Sequence, residues 1–323
     1  MADTRLWYWR YTLRAKTDLN ARSRATEFEG ALIRDFGGGV GCVHPWTALG
    51  DASLDEQLAA IAAEKPTTLG EQALLCAEAD GLSRRQGRNL FTGLSIPPSH
   101  WIAGTNPEDD DPVAIEEAGF WSVKFKGGSE PVQELVERLA RWKAEAPELR
   151  YRLDFNETLN EESVRAFWLL LDDATRAAID FVEDPCPWNP EVWHRLREEL
   201  GLPLAADRDV MQRAGEADWL IVKPAVINAI EPGELAFHSG QRLAFTSYMD
   251  HPIGQLHAAW RAAECSAIFG AQLGDCGLLT HPLFEPDPFF EQLGNDGPIL
   301  LPPEGTGLGF DDLLESLPWK PLI

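Results

Sequence analysis

Leu149-Arg-Tyr-Arg-Leu-Asp-Phe-Asn156 and Ala178-Ile-Asp-Phe-Val-Glu-Asp-Pro185 bracket the stretch whose reading decides the fold. Each is a short apolar run that ends on an acid, and the residues between them read as helical. The unit recurs on both sides. Further runs lie at Phe120 to Lys126, Leu202 to Ala206, Trp219 to Lys223, Leu243 to Ser247 and Gln272 to Leu278. Between them, Val132, Leu135, Val136, Leu139 and Trp142 repeat at helical spacing on one face. Asn189-Pro190 supplies an N-cap and a first-turn proline for another helix, with Val192, Trp193 and Leu196 inward. Strands alternating with helices in this rhythm imply a parallel α/β architecture. Seven or eight short units favour a closed (β/α) barrel over an open sheet.

The first ninety or so residues differ. Leu6 to Arg14 and Arg24 to Asp35 read as strands, joined onward by Gly37-Gly-Gly-Val-Gly41. Two helical patterns follow, Ser53 to Glu64 with an N-cap serine and Leu69 to Ala79. Strands followed by helices suggest a small α+β unit. The expected organisation is an α+β capping domain over 1–93, a barrel over 94–303 and an irregular tail over 304–323.

A parallel barrel carries its site at the C-terminal ends of its strands, with alternate residues pointing inward. Five consecutive expected strands end in Lys124-Phe-Lys126, Asp154-Phe-Asn156, Glu183-Asp-Pro185, Asp207-Arg-Asp209 and Lys223-Pro224. One such acid alone reads as a loop residue or a helix N-cap. Three in series at strand ends read as an arc of hard oxygen ligands. All-oxygen ligation suits Mg²⁺ better than Zn²⁺, which favours histidine or cysteine. Asp209 shares parity with Asp207 and is a rival ligand. Lys124 and Lys126 share strand parity, and Lys223 comes from the other side of the arc. A lysine must be neutral to act as a base. Lys124, about 7 Å along the strand from Lys126, lowers its proton affinity, and the acids raise it. The residues leave that balance open. The combination suits removal of a proton alpha to a carboxylate, where a divalent ion stabilises the enediolate and one lysine works on each face.

The order KxK, DxN, E-D-P, D, K-P resembles the enolase superfamily, specifically its muconate lactonizing branch, and within it the o-succinylbenzoate synthase family. The likeness runs through Val123-Lys-Phe-Lys126, Arg152-Leu-Asp-Phe-Asn156, Phe181-Val-Glu-Asp-Pro-Cys186, Ala206-Asp207 and Val222-Lys-Pro224. Weaker echoes are Leu94 to Gly104, Gly277-Leu-Leu-Thr280 and Gly307-Leu-Gly309. The resemblance implies an N-terminal α+β capping domain on a (β/α)₇β TIM-like barrel, with the tail returning to the cap. It implies Mg²⁺ on Asp154, Glu183 and Asp207, Lys126 as the base that also assists loss of the β-hydroxyl, and Lys223 as electrostatic stabiliser. Lys124, Ser247 and Gly277 would contact substrate, and the Gly37 to Pro45 loop would cover it. The implied reaction is dehydration of 2-succinyl-6-hydroxy-2,4-cyclohexadiene-1-carboxylate to o-succinylbenzoate in menaquinone biosynthesis. N-acylamino acid racemase or dipeptide epimerase activity is the alternative. Asp207-Arg-Asp209 and Ser247-Tyr-Met-Asp250 depart from the residues relatives often carry there.

A net charge of −24 and a pI near 4.6 argue against nucleic acid and membranes as partners. A small carboxylate substrate is compatible where metal and lysines reverse the field. Met1-Ala-Asp-Thr-Arg-Leu-Trp lacks a secretory pattern, and five cysteines without CxxC spacing suit a reduced cytoplasm. Glu108-Asp-Asp-Asp111 reads as a solvated loop before a helix. His44, His194, His251 and His281 show no zinc spacing, and Cys186 reads as packing.

Overall fold

The computed structural model of the chain describes residues 5–16, 19, 25–104, 110–128 and 130–323. Antiparallel strands β1 (Leu6–Arg14), β2 (Glu27–Asp35) and β3 (Val40–Val43) open the chain. The start expected for β2 at Arg24 lies outside the described residues. Helices α1 (Leu54–Ala62) and α2 (Thr68–Arg85) cover this sheet. Ala31, Ile33, Val43, Leu54, Leu58 and Ile61 bury the seam between them. Ser53 and Glu56 form a reciprocal capping box at the start of α1.

The second helix runs on to Arg85 instead of stopping at Ala79. Asp80-Gly81 reads as a stop because Asp competes for backbone hydrogen bonds and Gly costs about 1 kcal/mol in a helix. Here Asp80 is buried and accepts from Val40 N (2.8 Å), Leu308 N (2.6 Å) and Arg84 Nε (2.6 Å). Its tertiary bonds override its local preference.

Seven parallel strands follow: β4 (Trp101–Ile102), β5 (Ser122–Lys126), β6 (Arg150–Asp154), β7 (Ile179–Glu183), β8 (Leu204–Ala206), β9 (Trp219–Val222) and β10 (Arg242–Phe245). They pair in strict sequence order. Residues 273–277 supply the eighth stave through single bridges, Leu243↔Leu273, Thr246↔Gly277 and Ser99↔Cys276. His100 N donates to Cys276 O at 2.7 Å and Gly277 N to Phe245 O at 2.7 Å, so the sheet closes on itself. The chain is a (β/α)₇β TIM-like barrel with an α+β cap.

Helices α3 (Pro112–Glu117), α4 (Val132–Glu145), α5 (Glu161–Leu170), α6 (Asp173–Ala177), α7 (Pro190–Leu200), α8 (Val210–Arg213), α9 (Ile230–Ser239) and α10 (Pro252–Phe269) accompany the staves. Leu135, Val136, Leu139 and Trp142 of α4 are buried, as the periodicity requires. Asn189 caps α7 by accepting from Glu191 N and Val192 N, with Pro190 at the first position. Asp111 caps α3. The acidic loop before it is not simply solvated. Glu108 and Asp109 lie outside the described residues, but the carboxylate of Asp110 is buried. It accepts from Trp101 Nε1 (2.8 Å) and Gly104 N (2.6 Å), 3.5 Å from Arg138.

A hairpin of β11 (Gly294–Asp296) and β12 (Ile299–Leu301) follows the barrel. The stretch beyond it is not irregular throughout. It holds α11 (Asp311–Ser316) and β13 (Lys320–Pro321), which extends the cap sheet by pairing with β1. Leu308, Phe310 and Leu314 are buried there, which anchors a segment that its prolines and glycines made look loose. No helix among the described residues is long and apolar enough to cross a membrane. All five cysteines are free and buried.

Candidate active site

Strand parity sets which side chains enter the barrel. Lys124 pairs in register with Arg152, Lys126 with Asp154, and Asp154 with Glu183. Ladder neighbours point to the same side, so one layer carries a lysine and two acids. Asp207 and Lys223 follow directly on β8 and β9. Counting eight staves from β4, Lys126 stands on the second and Lys223 just beyond the sixth, half a turn apart. The three acids fill the arc between them. Directly after the acids the backbone turns sharply. Asn156, Glu157, Asp184 and Asp209 all have positive φ, a conformation that Asn and Asp tolerate better than most residues.

These ends line a cavity of about 680 Å³ that includes all eight expected residues: Lys124, Lys126, Asp154, Glu183, Asp207, Lys223, Ser247 and Gly277. From the cap side it is lined by Leu19, Leu49 and Asp51. The Gly37 to Pro45 segment does not cover it. Val40–Val43 is a buried strand instead, and Gly39 and Gly41 are needed because α2 lies against them. A Cβ on Gly39 would overlap Ala77 O, and one on Gly41 would overlap Ala73 O.

Lys124 Nζ sits 3.0 Å from Asp154 Oδ2 and 2.8 Å from Glu183 Oε2, and donates to Glu183 Oε1 at 2.9 Å. Burial works against its charge, but Asp154 and Glu183 outweigh burial and hold its pKa above the ordinary lysine value. Lys124 is therefore a fixed cation. Burial, then Asp154, push Glu183 up to about 8. Burial also opposes ionisation of Asp207, yet Lys223 and Lys124 hold it below the usual carboxylate range. Lys223 Nζ donates to Asp207 Oδ2 at 2.6 Å. Lys126 Nζ donates to the backbone oxygen of Leu19, which ties the second lysine to the cap.

Among the described residues no three acids face a common point as metal ligands; Lys124 bridges Asp154 and Glu183, and Lys223 pairs with Asp207. The donor set nevertheless fits a hard divalent cation. Asp207 Oδ1 is buried with no hydrogen-bond partner, and burial beside Asp154 opposes ionisation of Glu183 even with Lys124 in contact, a cost that a bound cation would reduce. The rival acid Asp209 lines the same cavity but does not join the buried acids. Its side chain is 68% exposed, with Oδ2 3.6 Å from Arg213 Nη2. Behind the arc, Asp184 is buried and accepts from Arg213 Nη1 at 3.3 Å and Arg208 N at 3.3 Å.

Ser247 Oγ shares a 2.7 Å hydrogen bond with Thr280 Oγ1 and accepts from Met249 N at 3.3 Å. The sequence reading missed three further polar residues that sit at or behind the cavity: His100, Arg152 and Thr246. The guanidinium of Arg152 is almost fully buried between the rings of Phe181 (5.0 Å) and Trp219 (5.1 Å). It donates to Asp275 O at 2.6 Å and meets His100 Nδ1 at 3.2 Å. Shared parity with Asp154 already put Arg152 inside the barrel. His100 carried no such signal, because β4 spans only two residues.

Residues 6–83 match the family of the o-succinylbenzoate synthase N-terminal domain, and residues 112–226 match the enolase C-terminal domain-like family. An o-succinylbenzoate synthase from Bdellovibrio bacteriovorus is 33% identical over 326 residues, covering 98% of this chain and 98% of that protein. The chain belongs to the o-succinylbenzoate synthase family. It is an enzyme, a lyase of the o-succinylbenzoate synthase type within the enolase superfamily. Solved structures share this family's fold at lower identity. The L-Ala-D/L-Glu epimerase from Bacillus subtilis aligns with a TM-score of 0.78 at 17% identity, covering 96% of this chain and 98% of that one. A mandelate racemase/muconate lactonizing enzyme from Roseiflexus sp. aligns at 0.75 with 19% identity, covering 96% and 99%.

Proposed function

We propose that the chain dehydrates 2-succinyl-6-hydroxy-2,4-cyclohexadiene-1-carboxylate to o-succinylbenzoate, a step of menaquinone biosynthesis in the cytoplasm. The observation that carries the reading is the arrangement of two lysines half a turn apart with three acids between them. Asp154, Glu183 and Asp207 would hold Mg²⁺, which supplies positive charge where the substrate carboxylate becomes a dianion.

Lys126 takes the proton from the carbon alpha to the carboxylate. The electron pair moves into the carboxylate as an enediolate. The pair then returns to form the ring double bond as the β C–O bond breaks. The departing hydroxide takes the proton from the Lys126 ammonium and leaves as water, so Lys126 ends as it began. Lys223, on the opposite face, stabilises the enediolate as a cation. Lys124 holds Asp154 and Glu183 in place, and Ser247 and Gly277 border the substrate's far side.

Purified protein with Mg²⁺ and this substrate should yield an aromatic acid, read by ultraviolet absorbance, and chelator should abolish the rate. A substrate left untouched under those conditions overturns the assignment. The opposed lysines also favour a second reading, epimerisation of an N-acylamino acid or dipeptide, because a base on each face is what racemisation needs. Exchange of the alpha hydrogen with solvent deuterium from both faces supports it; exchange from one face rejects it.

A further inference from the structure

Glu157, Asp184, Arg208 and Arg213 form a charged cluster beside the acid arc, and no step of the proposed reaction uses them. Three of them adjoin the three acids in sequence. Glu157 lies just past Asp154, Asp184 directly follows Glu183, and Arg208 directly follows Asp207. Arg213 ends α8 and is tied to that last segment by its own N, which donates to Asp209 O at 3.1 Å.

Arg213 joins all three segments. Its Nη1 donates to Glu157 Oε1 at 2.9 Å and to Asp184 Oδ1 at 3.3 Å, so a side chain anchored after β8 grips the segments after β6 and β7. That side chain is only 6% exposed, and its guanidinium packs over the Trp188 ring at 5.5 Å. Asp184 also holds the backbone of the third acid: Oδ1 accepts from Asp207 N at 3.5 Å and Oδ2 from Arg208 N at 3.3 Å. Glu157 N donates to Asp184 O at 2.7 Å. The guanidinium of Arg208 stands further off, 3.7 Å from Glu157 and 3.9 Å from Asp184. Glu157 and Asp184 both have positive φ, 61° and 40°. Backbone of that kind persists where surrounding contacts over-determine it. These contacts involve neither Lys124 nor Lys223, so they hold the strand ends independently of the ion pairs those lysines make.

We propose that Arg213 is a positioning residue: by clamping Glu157 and Asp184 it fixes the spacing of the strand ends that carry Asp154, Glu183 and Asp207, and so sets a preference for Mg²⁺ over the larger Ca²⁺. The inference rests on the reading of those acids as Mg²⁺ ligands and deepens it. Mg²⁺ demands short, nearly octahedral oxygen ligation, whereas Ca²⁺ accepts longer and more variable contacts. Loosening the frame therefore costs Mg²⁺ more than Ca²⁺, whose ligation can follow displaced carboxylates.

The test is calorimetry of Mg²⁺ and of Ca²⁺ binding to the full chain, with the melting temperature of each metal-free protein recorded alongside. Arg213→Met removes the clamp. Arg213→Lys keeps the charge with a shorter reach, and Glu157→Gln keeps the shape of one arm without its charge. Arg213→Met should lower Mg²⁺ affinity by about 10- to 100-fold, as removal of groups that orient metal ligands does. Its Ca²⁺ affinity should fall less, so the preference for Mg²⁺ shrinks. Arg213→Lys should recover part of that preference, and Glu157→Gln should shift it the same way by a smaller factor. A residue that served stability alone would lower the melting temperature and leave the preference of the folded protein unchanged. If Arg213→Met does not fold, the other two variants decide the matter. Equal losses for both cations in the folded variants, or no preference in wild type, overturn the inference. A wild type that binds neither cation overturns the parent reading instead, so the two failures are distinguishable.

Discussion

Replacing Lys124 by Met should destabilise the metal-free protein strongly and make its stability depend on Mg²⁺. The ammonium lies 3.0 Å from Asp154 and 2.8 Å from Glu183, and Glu183 is almost fully buried. With both acids ionised, which for Glu183 means above about pH 8, each pair is worth about 5–6 kcal/mol of attraction at an effective dielectric of 20. Desolvation of the ammonium cancels a large part of that sum. What remains is the cost of leaving buried carboxylates uncompensated, about 3–5 kcal/mol by experience with broken buried pairs. For a chain of this size, about 4 kcal/mol lowers the melting temperature by roughly 6 °C. A divalent cation restores charge where the ammonium stood, so its stabilisation should be larger in the variant than in wild type, growing with concentration as ligand linkage requires. The assay is thermal and urea unfolding in chelator and in a magnesium series. A metal-free variant within about 1 kcal/mol of wild type, or equal Mg²⁺ responses in both proteins, refutes the reasoning.

Other outcomes follow from single sites. Lys223→Ala should lower kcat by about 10²–10³ with little change in KM, because it removes a charge used in the transition state; steady-state kinetics read this. Gly41→Ala should cost about 3 kcal/mol by urea unfolding, since the new methyl meets the Ala73 carbonyl of a helix that cannot easily retreat. Burial pushes Asp250 up to about 7 from an ordinary 3.8, with Oδ1 unpartnered. A carboxyl protonated in the fold and ionised in the unfolded chain loses stability as pH rises from about 4 to 7, by up to about 4 kcal/mol, and levels off above. Asp250→Asn should flatten that part of the stability–pH curve.

The barrel was legible because its signal is local. Apolar runs alternate with helical patterns, and five consecutive strand ends carry charges whose parity fixes their direction. Lys126, Asp154, Glu183, Asp207 and Lys223 could therefore be placed on one mouth before any contact was known, and the structure lines one cavity with them. What could not be read depended on long-range contact. The glycines at 39 and 41 look like a mobile loop by composition, yet they are small because α2 presses on them. Asp80 looks like a helix stop until its bonds to Val40 and Leu308 are seen. Leu19, Leu49 and Asp51 reach the cavity from a cap whose docking no local pattern encodes. Nor could spacing reveal that Lys124 would lie between two acids as a fixed cation, leaving Lys126 as the amine turned to the cap.

The direct test of the central claim is the rate of aromatic product formation by Lys126→Ala at saturating Mg²⁺, against wild type. A base that both takes the alpha proton and returns it to the leaving hydroxide should cost at least about 10⁴ in kcat when removed. The fold should be intact by circular dichroism and the substrate should still bind. A variant that dehydrates the substrate within tenfold of the wild-type rate would contradict the account.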